Sequence, residues 1–163
     1  MFCVFAIVQA AIATGIVLVG KGAPTQPAAL LGNASLELFV TIAAMCVASA
    51  VLGLVLSSLA RSNEQIMPLL VVSLMLQLVL AGGMVPVTDR LFLDQLSWIV
   101  PSRWGYAASA STVNLRALVP GSLIPKDSHW LHTRSAWLFD MGMLAALSVV
   151  YAVIVRWRIR LKR

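Results

Sequence analysis

The sequence predicts an all-α fold, a polytopic membrane helical bundle of four transmembrane helices plus short external re-entrant helices. Composition is the first reason: 60% of the 163 residues are hydrophobic, only 11% are charged, and the mean hydropathy is +0.92. Soluble domains hold about 45–50% apolar and about 25% charged residues, so a soluble fold of this size could not cover so much apolar surface. The second reason is that the apolar residues come in four long runs with few charges. The third is where the positive charge lies. Five of the twelve basic residues, Arg156, Arg158, Arg160, Lys162 and Arg163, close the chain directly after an apolar run, the pattern of a cytoplasmic membrane flank.

The first run, about Phe2 to Val19, contains no charge. At 1.5 Å per residue it climbs roughly 27 Å, enough to cross a bilayer core. No basic stretch precedes it, so it is not a signal peptide, and a chain opening inside an apolar helix has the pattern of a piece of something longer. Gly20-Lys21-Gly22, Pro24 and Pro27 stop the helix. The second run, about 36–59, is uncharged after Glu37, which reads as an acidic charge in a first helical turn. The third spans about 66–85, between Arg61-Ser-Asn-Glu64-Gln65 and Pro86-Val-Thr-Asp-Arg90. The fourth spans about 136–155 and carries Asp140 near its start, where an external arginine would pair with it.

Between the third and fourth runs, residues 95–115 are apolar enough to suggest a fifth crossing. Pro101 and Arg103 would then fall near its middle, and a central arginine alone costs about 2.5–3.5 kcal/mol. A fifth span would also put the Arg61 turn and the basic tail on opposite sides. Four spans put them on one side, with both termini cytoplasmic and residues 86–135 external. Leu91–Val100 and Ser102–Leu115 then read as short amphipathic or re-entrant helices split at Pro101. Trp98, Trp104, Tyr106, Trp130 and Trp137 suit the outer interface and Trp157 the inner one.

Ser49, Gly53 and Ser57 recur every fourth residue beside the Ala44–Ala48 stripe, and small residues so placed let helices approach closely in lipid. Ala11 and Gly15, and Gly142 and Ala146, repeat the pattern; such faces serve packing within one chain or a dimer interface. Gln9 and Gln77 lie inside spans and need hydrogen-bond partners, either on another helix or along a substrate route. Cys3 and Cys46 read as buried thiols, and His129 and His132 as an exposed loop pair without a third metal ligand. No metal site is expected. The chain has no Gly-rich phosphate loop and no H-E-x-x-H motif, and the serines at 109 and 111 lack His–Asp company. Asn33-Ala34-Ser35 matches a glycosylation acceptor, a pattern common by chance. The formal charge of +6 does not point to nucleic acid, because the basic residues are not interleaved with aromatics on a polar face.

The order of elements carries a resemblance. A small-residue span, a tight internal turn, the exit Gly82-Gly83-Met84-Val85-Pro86, the run Ser97-Trp98-Ile99-Val100-Pro101-Ser102-Arg103-Trp104-Gly105-Tyr106 and a last span with a basic tail follow one another. Together they resemble the type-2 ABC exporter permease, nearest to its white or G subfamily and to bacterial relatives that join permease and ATPase in one chain. The resemblance implies that residues 1–163 are a partial transmembrane domain, the last four of six spans, and the absence of external cysteines points to a bacterial origin. It implies a permease moving a lipid-like or amphipathic substrate across the plasma membrane. The expected partners are membrane lipid, an ABC ATPase domain that holds ATP and Mg, and a second permease half in a dimer. This chain itself is expected to bind no cofactor and to be no enzyme. The implied path is lined by Met75, Leu76, Gln77 and Val79, with an extracellular gate at Met84 and Val85 and a re-entrant motif of Pro101, Arg103, Trp104, Gly105 and Tyr106. A membrane-embedded accessory or assembly subunit without a path is the alternative.

Overall fold

A computed structural model describes residues 2–22, 28–30, 32–60, 62–83, 91–115 and 128–161. They form α1 (Phe2–Lys21), α2 (Ala34–Leu59), α3 (Asn63–Leu80), α4 (Leu91–Ser97), α5 (Pro101–Thr112) and α6 (Arg134–Leu161), with a 3₁₀ turn at Ser128–Trp130 before α6. Among the described residues there is no strand. The chain is an all-helical polytopic bundle.

Helix boundaries follow local chemistry. Gly22, at φ +80°, ends α1 by turning its N–H back to the Leu18 carbonyl at 2.9 Å. Asn33 caps α2, its side chain accepting from the Ser35 N–H at 3.0 Å. Gly82, at φ +84°, stops the chain from continuing α3. Pro101 opens α5 at a position where its missing N–H costs nothing.

Three helices, α1, α2 and α6, are long and apolar enough to cross a membrane by themselves. The expected third span is shorter than the sequence suggests. As α3 it has 18 residues and climbs roughly 27 Å, the lower end of what a bilayer requires. Two short helices, α4 and α5, stand where the sequence suggested a pair of short helices, and they meet at a break over Trp98–Val100.

α2 is the hub of the bundle. It packs against α1, α6 and α5, while α3 leans on α5 and α2. The tightest packing joins Ala48 of α2, Trp104 of α5 and Leu144 of α6, all fully or almost fully buried, with Ala44, Met45 and Leu147 around them. The helices therefore meet along the Ala44–Ala48 stripe. Gly53 and Ser57 are exposed, and open space surrounds Gly53, as it does Gly15 and Gly142.

Candidate functional site

The α4–α5 hairpin organises one end of the bundle. α5 is poor in large apolar residues, yet ten of its twelve are buried. Gly105 explains how it gets so close. A Cβ there would lie 2.6 Å from the Met45 sulfur of α2, so any larger residue would have to displace the Met45 side chain. Gly83 plays the same part for the exit of α3, since a Cβ on it would come within 2.8 Å of the Tyr106 ring. Trp104 is fully buried, with Trp98, His129 and Phe139 set edge-on around it at centroid distances of 5.2, 5.3 and 5.8 Å.

A helix broken inside a bundle frees carbonyls that need donors. Here the Trp98 and Ile99 carbonyls find theirs on neighbouring elements. Trp104 Nε1 donates to the Trp98 carbonyl at 3.1 Å, and the Tyr151 hydroxyl of α6 donates to that of Ile99. Ser102 Oγ donates to the Gln77 carbonyl at 2.7 Å, tying the last turn of α3 to the first turn of α5. Arg103, buried beside Trp104, reaches back to Asp94 of α4 at 3.2 Å. The Pro101–Tyr106 motif is thus a knuckle, locked to three helices around it.

Under this knuckle lies an apolar cleft of about 270 Å³. Its walls are Leu52 and Leu56 of α2, Leu69, Val72, Ser73, Leu76 and Gln77 of α3, the Ile99–Pro101 break, and Tyr151. The α3 residues follow helical spacing and form one face. Of the four residues expected along a path, Leu76 and Gln77 line this cleft; Met75 and Val79 are exposed and lie outside it. Met84 and Val85, the expected gate, fall outside the described residues.

Several polar side chains stand elsewhere than expected. Glu37 is fully buried where α2, α5 and the preceding loop meet. Its carboxyl accepts from the Leu30 N–H at 2.9 Å and from the Thr112 hydroxyl at 2.7 Å. Thr41, one turn on, donates to the Glu37 carbonyl and accepts from Trp137 Nε1 at 3.3 Å. Asp140 pairs with His129 Nδ1 at 3.3 Å, not with an arginine in that contact. The histidines are not an exposed pair: His129 stacks on Phe139, and His132 Nδ1 donates to the Ser111 carbonyl at 2.6 Å. Trp104, Trp130 and Trp137 are buried in the protein, where the sequence suggested interfacial rings; Trp98 and Trp157 are exposed. Gln9 lies on the exposed face of α1. Among the described residues no group of three His, Cys, Asp or Glu could hold a metal. One signal for this network was present in the sequence. Glu37 and Asp140 are single acids at the starts of otherwise uncharged runs, and a lone acid in an apolar run needs a partner.

The family model for the ABC-2 type transporter matches residues 1–113, covering α1 to α5. The chain belongs to the ABC-2 type transporter family. This ABC-2 membrane segment is also 66% identical over 162 residues to an ABC transporter ATP-binding/permease protein of Mycobacterium tuberculosis. The match covers 99% of this chain and 19% of that protein, so the ABC-2 segment spans about a fifth of its relative's length. No solved structure matches it. Family and fold together make it a multi-pass transmembrane permease component.

Proposed function

We propose that this permease segment forms part of the route by which an ATP-driven exporter moves a lipid-like or amphipathic substrate across the plasma membrane. The observation that carries the reading is the apolar cleft beneath the knuckle, in a chain of this family. Its lining is aliphatic apart from the Gln77 amide, the Ser73 hydroxyl, the Tyr151 hydroxyl and the break, a composition suited to an acyl chain with a modest polar group. Leu76 and Gln77 contact the substrate on the cleft side. Met75 and Val79 contact it on the exposed face of α3, which a second permease half covers in a dimer. Met84 and Val85 close the outer end.

ATP and Mg²⁺ belong to an ATP-binding domain, as the name of the mycobacterial relative suggests for that protein. Nucleotide binding there rocks the bundles between inward- and outward-open states, with both termini cytoplasmic. The knuckle supports this reading because its bonds from Trp104 to Trp98, Arg103 to Asp94 and Tyr151 to Ile99 do not run through α3, so the cleft can open without unfolding the hairpin.

The test uses the full-length transporter chain in proteoliposomes with a fluorescent amphiphile. Leu76→Trp fills the cleft and should abolish transport while the protein still inserts and dimerises; Phe5→Trp, on the exposed face of α1, is the fold control. Undiminished export by Leu76→Trp would favour an accessory or assembly subunit. Full export by a chain whose ATPase cannot hydrolyse ATP would end the ATP-driven reading.

A further inference from the structure

The basic end of α6 has an ordinary explanation: cations suit a helix C-terminus and the positive side of a membrane. Two of its arginines have a more particular setting. Arg156 and Arg160, one turn apart on one face of α6, stand at a groove of about 440 Å³ between α6 and α2. Below them the groove is aliphatic, walled by Val51 and Leu54 of α2 and by Ala152 and Val155 of α6. Among the described residues no carboxylate pairs with either guanidinium, and both side chains are exposed. From Ala152 to Arg160 the groove climbs roughly 12 Å along α6, most of the ~15 Å thickness of one hydrocarbon leaflet. Trp157, exposed between the two arginines in sequence, is the ring type that collects at headgroup level.

We infer that this groove binds an anionic phospholipid, its phosphate on Arg156 and Arg160 and one acyl chain along the α2–α6 wall. Charge complementarity selects the occupant. A zwitterionic lipid would fill the same aliphatic wall but gain less from two unpaired guanidinium groups, and a soluble anion would leave the wall empty. The site shares no residue with the substrate cleft, so it stands whether or not the cleft carries substrate.

The experiment is native mass spectrometry of the full-length chain in detergent, given equal amounts of dioleoylphosphatidylglycerol and dioleoylphosphatidylcholine. A cationic side chain near an anionic headgroup contributes about fivefold in affinity, so the phosphatidylglycerol preference should be roughly tenfold or more. Arg156→Gln with Arg160→Gln should bring it close to even. Arg158→Gln, on the opposite side of the helix, should change it by about twofold or less. Ala152→Trp and, from the facing wall, Leu54→Trp fill the aliphatic part and should each lower retention of phosphatidylglycerol with both arginines in place. No preference in the unchanged protein overturns the site. So does an equal loss on Arg158→Gln, or undiminished retention in both filled variants.

Discussion

α5 and α3 lie side by side and make opposite use of their residues. α5 is built of Ser, Thr, Ala, Gly, one Arg and two aromatics, and is almost wholly buried. α3 is a run of Leu, Val, Ile and Met, and of its described side chains only Leu80 is buried. In water this would be inverted. In lipid, tails are as apolar as leucine, so nothing drives large aliphatic side chains inward. Polar groups and a broken backbone, however, cannot face hydrocarbon without partners. The interior therefore goes to the residues that need hydrogen bonds and to the small ones that let helices close around them. α5 is thus packed on every side, whereas α3 is tied to it by the bond from Ser102 to the Gln77 carbonyl in its last turn and, just beyond that turn, by the close approach of Gly83 to Tyr106.

The largest effect expected from this contrast is at Trp104. Trp104→Ala should cost about 3–5 kcal/mol, read as a lowered unfolding midpoint of the full-length chain in detergent. A near-neutral result would mean that the hairpin core is not the rigid part. Glu37→Ala should follow at about 1–3 kcal/mol, because it strands the Leu30 N–H. The Thr112 hydroxyl loses less, since the Ala108 carbonyl lies 3.0 Å away as a second acceptor. Hydrogen exchange in the segment before α2 should accelerate in that variant, while exchange in α3 stays unchanged.

Gly105→Ala should cost about 1–3 kcal/mol through its clash with Met45. In a Met45→Ala background Gly105→Ala should cost less than it does alone, because the Met45 sulfur and Cγ that the new methyl meets are gone. An undiminished cost there would place it somewhere other than the α2–α5 approach. The smallest effect is expected on α3: Leu74→Ala, half-exposed, should change stability by no more than about 0.5 kcal/mol. A larger loss would show that the side of α3 bearing Leu74, turned away from Met75 and Val79 by helical spacing, is also covered in the assembled protein.

Much of this was legible in the residues. Charge-free length marked α1, α2 and α6, since a helix that must satisfy its own backbone in lipid announces itself by composition. Pro101 and Arg103 marked the hairpin, because neither suits the middle of a span. The Gly-Gly exit and the Pro-x-Arg-aromatic-Gly-aromatic run carried the family. Leu76 and Gln77 line the cleft, and the route through it belongs to the proposal above. What the residues could not reveal was partnership. The tryptophans of the hairpin region read as interfacial rings, because an aromatic with a polar N–H suits a headgroup layer as well as it suits a buried carbonyl or hydroxyl. Only the fold supplied the Trp98 carbonyl for Trp104 and the Thr41 hydroxyl for Trp137.

By itself, then, the sequence determined that the chain lives in a membrane, where its long helices run and where they break. Those are properties of single segments, set by transfer free energy and backbone geometry along a few neighbouring residues. The tertiary structure alone decided that α2 packs through its alanine stripe and leaves Gly53 open, that Glu37 fastens a loop to α5 over 75 residues of chain, and that α3 and the knuckle enclose a cleft. Each of these depends on which distant group arrives opposite, and in a bilayer that choice is made by donor–acceptor matching and close steric fit. Hydrophobicity, equal on every side of a lipid-facing helix, cannot make it.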